Sequence, residues 1–125
     1  MITVNVPKDL LLTANHRHHW SKKARATRTL RQLGMYLAKQ SDTAPMERAR
    51  LEVTIHWPNR QRRDAHNLAP TVKALVDGMT ADAGLLPDDD DTHLIGPDLR
   101  VSEDLCDKRF AAVLIFDWQP IEVTA

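Results

Sequence analysis

The chain has a single cysteine, no apolar stretch of membrane-spanning length and no net charge. Cys106 alone cannot form an intramolecular disulfide, which fits a reducing cytoplasm. The longest apolar run falls within residues 110–118, far too short to cross a bilayer, so no membrane association is expected. The opening Met1-Ile2-Thr3-Val4-Asn5-Val6-Pro7 lacks the basic head and apolar body of a secretory signal and is not expected to be one. There is no internal repeat, low-complexity tail or sign of a second domain. With 125 residues, 42% hydrophobic and 27% charged, the chain is expected to be one domain spanning 1–125, with a real hydrophobic core.

The missing net charge conceals an asymmetry. Residues 1–63 carry 13 Lys/Arg against 4 Asp/Glu, a balance of +9, and residues 64–125 carry the reverse, 4 against 13. A polyanion-binding surface beside a cation-binding one is one reading, and mutual neutralisation across the fold is the other.

Hydrophobic periodicity orders the elements. Ile2, Val4 and Val6 alternate as a half-buried strand closed by Pro7. A polar, aromatic loop at 15–20 precedes a helix starting near Ser21, whose apolar face is Ala26, Leu30, Leu33 and Leu37. Leu51, Val53, Ile55 and Trp57 form the clearest strand. Leu68, Val72, Leu75, Val76 and Met79 mark a second helix, capped by Asn67, with Pro70 in its first turn and Gly78 and Gly84 bracketing a fraying end. A strand interrupted at Gly96-Pro97 spans 94–101, and residues 110–118 read as a central strand covered on both faces. The expectation is an α+β domain with two main helices packed on a small mixed sheet.

The chemistry-bearing residues cluster around Arg62-Arg63-Asp64-Ala65-His66-Asn67-Leu68 and, downstream, Asp88-Asp89-Asp90-Asp91. Arginines bind phosphate, and clustered carboxylates hold hard cations such as Mg²⁺. One or two carboxylates of the acidic run facing Asp64 would form a divalent-metal pocket, whereas a solvated acidic loop is the plainer alternative. Asp64 itself is either a metal ligand or a stabiliser of the following helix. If residues 64–66 are extended, Asp64 and His66 point the same way, and an imidazole there suits Mn²⁺ or Zn²⁺ better than Mg²⁺. Lys73 and Asp77 are spaced i, i+4: a surface pair, or a lysine aimed at phosphate. His93, beside the acidic run, rivals His66 as a general base. In Asn15-His16-Arg17-His18-His19-Trp20, polar donors such as Asn15 and Arg17 beside an aromatic suit a phosphate and a stacked base. From Lys22 to Lys39 there are six cations and no acid, which extends the basic surface through Lys22, Lys23 and Arg25.

Taken in order, these pieces resemble the RusA family of Holliday-junction resolvases, particularly versions carried by phages and prophages. The family pattern is basic residues, Asp-x-Asp-Asn-Leu, a helix with a lysine and an aspartate, then an acidic pair. Here it is matched by residues 62–68, by Lys73-Ala74-Leu75-Val76-Asp77-Gly78 and by Asp90-Asp91-Thr92-His93-Leu94, with residues 15–20 as an early Asn-x-Arg-x-x-Trp-like segment. The resemblance implies a cytoplasmic homodimer that binds a four-way DNA junction and hydrolyses phosphodiesters with Mg²⁺, or Mn²⁺. By it, Asp64 and Asp91 are metal ligands, Asp90 binds directly or through water, and Lys73 is the family's helix lysine. Asp64, His66, Asp91 and Lys73 are then the catalytic candidates, and Arg62, Arg63 and the first helix grip DNA. Two departures stand out: His66 replaces the second carboxylate, and Ala69-Pro70-Thr71 lengthens the stretch before Lys73 by about one helical turn. A non-catalytic branched-DNA-binding protein and a small metal-dependent nucleotide hydrolase are the alternative functions.

Overall fold

A computed structural model describes residues 1–14, 19–61 and 63–123. The elements are β1 (Ile2–Pro7), α1 (Trp20–Gln40), β2 (Ala49–His56), α2 (Ala69–Asp77), β3 (Leu94–Val101) and β4 (Phe110–Pro120). Short 3-10 turns at Lys8–Leu10 and Ala65–Leu68 follow β1 and precede α2, and a wide π turn, Gly78–Asp82, extends α2. The sheet order is β1-β4-β2-β3. β4 runs antiparallel to both β1 and β2, while β3 pairs parallel with β2. A parallel pair needs a crossover, and α2 supplies it. The domain is therefore α+β, with a four-stranded mixed sheet and two helices.

Alternation decides which sheet face is covered. Val4 and Val6, then Leu51, Val53 and Ile55, then Leu114 and Phe116 are fully buried on one face. They form a single core with Leu30 of α1 and with Leu68, Leu75 and Met79 on or beside α2. The intervening residues of β4, including Val113 and Ile115, are only partly buried. β4 is central, as expected, but helices cover just one of its faces. Its outward side chains are apolar without being enclosed, which is why the sequence reads as a doubly covered strand.

The two helices touch backbone to backbone. A Cβ on Gly78 would overlap the Arg31 carbonyl oxygen, and one on Gly34 would overlap the Leu75 carbonyl oxygen. Arg31 also grips Asp82 with two hydrogen bonds, Nε to Oδ2 at 2.6 Å and Nη2 to Oδ1 at 3.0 Å. This charged hydrogen bond holds the Arg31 pKa above and the Asp82 pKa below their ordinary values. Gly78 thus sits inside a tight helix crossing, not at a fraying end. The turn out of the helix comes at Gly84, with φ +82°.

Among the described residues no helix is long and apolar enough to cross a membrane.

Candidate functional site

The segment between β2 and α2 is shaped by Asp64. Its backbone is extended, and its Oδ1 accepts the His66 amide at 3.0 Å, closing the 3-10 turn over Ala65–Leu68. An acidic side chain at that position satisfies an otherwise orphaned N–H. The capping residue of this turn is therefore Asp64, and α2 starts at Ala69 from Leu68 with no side-chain cap, so Asn67 does not cap it. Because residues 65–68 turn, Asp64 and His66 do not lie in one extended run with parallel side chains. Asp64 is instead folded over the His66 amide, with its side chain at the surface.

Thr71, from the Ala69-Pro70-Thr71 stretch, is completely buried. Its hydroxyl accepts the Leu12 amide at 2.9 Å and donates to the Leu12 carbonyl at 2.7 Å. Ala14 N–H donates to the Asn67 carbonyl at 2.9 Å. The segment from Leu12 to Ala14 is thereby pinned against the Asp64–Leu68 motif and the start of α2. Asn15, Arg17 and Arg62 lie outside the described residues. On the far side of that segment, His19 accepts the Ser21 amide and meets its hydroxyl, capping α1, while Trp20 stacks on His19 with ring centroids 5.8 Å apart. Trp20 is the first residue of α1, not the last of a loop, and it stays 77% exposed. Lys22, Lys23 and Arg25 are exposed along the first turns.

His66, Lys73 and Asp89 line one cleft of about 350 Å³, walled by Val72, Val76, Leu94, Pro97 and Leu99. The Lys73 ammonium donates to Asp77 Oδ1 at 2.7 Å and to Asp89 Oδ2 at 2.5 Å. The Asp77 hydrogen bond, then that of Asp89, raises the lysine pKa against a smaller desolvation effect. Reciprocally, the Lys73 hydrogen bond holds the Asp89 carboxyl below its ordinary range. Lys73 is thus both the i, i+4 partner of Asp77 and a wall of the cleft, so the extra turn before it does not carry it away.

Within the acidic run, Asp89 is the residue that faces Lys73. The resemblance points instead to Asp90 and Asp91. Asp90 is occupied with the chain itself: its Oδ1 accepts the amides of Thr92 and His93, and its carbonyl accepts those of His93 and Leu94. Asp91 is exposed at the turn. The His93 ring places Nδ1 3.0 Å from the Glu47 carbonyl, which ties the start of β3 to the chain before β2.

No protein-family model matches the chain, and none of the curated proteins matches it.

Of the candidate donors only the Asp89 carboxylate and the His66 imidazole line the cleft, and Asp64, Asp90 and Asp91 do not; as types, carboxylates suit a hard divalent cation. Their arrangement does not: among the described residues no three His, Cys, Asp or Glu side chains converge to hold a metal ion. Lys73 already neutralises one charge of the Asp77–Asp89 pair. What the arrangement offers as it stands is a positioned ammonium, an imidazole and the Asp89 carboxylate in one apolar-walled cleft.

Proposed function

We propose that this protein is a structure-selective DNA endonuclease that acts on branched DNA such as a four-way junction. The observation that carries the reading is the meeting of His66, Lys73 and Asp89, from three separate segments, in one cleft just downstream of Arg63. Arg63 and the exposed cations of α1 supply the phosphate grip, and the RusA-like order of motifs supplies the reaction class, phosphodiester hydrolysis. Symmetrical cutting of a junction needs two sites, so the acting form is a homodimer, working on DNA in the cytoplasm. By the RusA-like pattern the reaction would call for Mg²⁺ or Mn²⁺ on Asp64, His66, Asp90 and Asp91, side chains that do not converge as they stand here.

A second reading is favoured by one observation, the lack of three converging metal ligands among the described residues. In it the protein binds branched DNA without cutting it. Cleavage of a labelled mobile four-way junction beside matched linear duplex, in Mg²⁺, Mn²⁺ or EDTA, separates the two. Paired symmetrical nicks confined to the junction and abolished by EDTA support the endonuclease, and Asp64→Asn should then lose cutting while keeping junction binding. Tight binding with no cutting in either metal supports the second reading and rejects the first.

A further inference from the structure

A second cleft lies beside Arg63, where β1 ends, β2 ends and β4 begins. Its volume is about 500 Å³, within the usual range of ligand sites. Every titratable residue lining it is a cation: Lys8, Arg63 and Lys108. None of the three pairs with a carboxylate among the described residues. The Arg63 guanidinium lies 4.4 Å from the Trp57 ring centroid, and its N–H groups reach only neutral oxygens of Asn59 and Gln61, at 3.3–3.4 Å. Stacking on an almost fully buried tryptophan fixes the plane of the guanidinium while leaving its charge uncompensated. The remaining walls are mainly apolar, with half-buried Phe110 among them.

We propose that this cleft seats one unstacked nucleotide of a DNA strand, with Lys8, Arg63 and Lys108 on its phosphates and Phe110 against its base. Uncompensated cations around an aromatic wall are what a single strand requires, because phosphates supply the charge and every base offers a flat face. A free phosphate would use the cations but not the apolar wall. The placement deepens the endonuclease reading and rests on it for its role. Arg63 and His66 are three residues apart, so their Cα atoms lie within about 11 Å of each other. The two clefts are therefore joined by a three-residue span of chain.

The test is binding of a short labelled single-stranded oligonucleotide in EDTA, where no metal-dependent cutting can interfere. Lys8→Ala/Lys108→Ala should weaken binding by about tenfold and flatten the plot of log K against log salt by about 0.7 for each phosphate no longer neutralised. Arg100→Ala, which removes a cation facing Glu52 elsewhere on the sheet, is the charge control and should change little. Phe110→Leu should weaken binding of a normal strand but not of one with abasic sites. Equal affinity for the wild type and the double variant overturns the cleft while leaving DNA binding elsewhere intact. Failure of the wild type to bind any single strand overturns it as well. Cleft-dependent binding by a protein that cuts no junction keeps this site and rejects the endonuclease.

Discussion

Lys73 is held between two carboxylates, 2.7 Å from Asp77 and 2.5 Å from Asp89, and through Asp89 it fastens the acidic turn to α2. The Asp89 carboxyl is held below its ordinary range, so its contribution to stability is present above the ordinary carboxylate value, about 3.9, and is lost as pH falls through the lower folded value. Lys73 is raised, so its contribution is fully present below the ordinary ammonium value, about 10.4, and is lost as pH rises through the higher folded value. The pair is therefore expected to be insensitive to pH across the neutral range and to open only in acid or strong base. An NMR titration of the Asp89 carboxyl carbon checks this: in Lys73→Met its midpoint should move upward. A midpoint that does not move would mean the two side chains do not meet in solution. The accompanying loss of stability should stay below about 1 kcal/mol, because Lys73 is largely exposed.

The helix crossing should be the most sensitive part of the fold. Gly78→Ala drives a methyl group into the backbone of Arg31 and Met35, which cannot rotate aside as a side chain would. The expected cost is on the order of 2–3 kcal/mol, a fall in melting temperature on the order of 10 °C. Gly84→Ala is the contrast, since nothing lies near its Cβ position and only the positive φ opposes it, at about 1–2 kcal/mol. Thermal unfolding of both variants measures the difference, and a Gly78→Ala protein as stable as the wild type would contradict the crossing.

That contrast also marks what the sequence can express. Strand alternation at Ile2, Val4 and Val6 and at Leu51, Val53 and Ile55, and the helical spacing of Leu30 and Leu75, record burial directly, and each lies where its period puts it. Gly78 reads as a helix terminator because its real constraint, the Arg31 carbonyl, is 47 positions away in the chain. The capping role goes to Asp64, not Asn67, because a 3-10 turn precedes the helix, and both residue types cap equally well on paper. In the acidic run four identical side chains carry no local mark of which one faces Lys73. The turn that Asp90 closes over Thr92 and His93 decides it.

Thr71 is expected to hold the segment before residue 15 in place. Thr71→Val keeps shape and volume but removes both hydrogen bonds to Leu12, leaving a buried N–H and C=O without that partner. Such groups cost about 1–3 kcal/mol when unpaired. Urea unfolding should show a loss in that range, and amide exchange at Leu12 and Ala14 should accelerate beyond the global change. Unchanged exchange at those two amides would show that the clamp does not hold the segment before residue 15.

His66 offers the sharpest probe of the proposed chemistry. Its amide, not its ring, caps onto Asp64, so replacing the ring leaves the turn intact. His66→Asp places a carboxylate in the cleft beside Lys73 and Asp89 and restores the Asp-x-Asp spacing of the RusA pattern. Oxygen donors favour Mg²⁺, whereas imidazole shifts preference toward later transition metals. Junction cleavage by the variant should rise several-fold in Mg²⁺ relative to Mn²⁺, compared with the same ratio in the wild type. A gain of Mg²⁺-dependent cutting from an inert parent would identify His66 as the substitution that silences the site. An unchanged metal ratio, with cutting retained, would place the reacting phosphate away from this cleft and remove His66 from the proposed site.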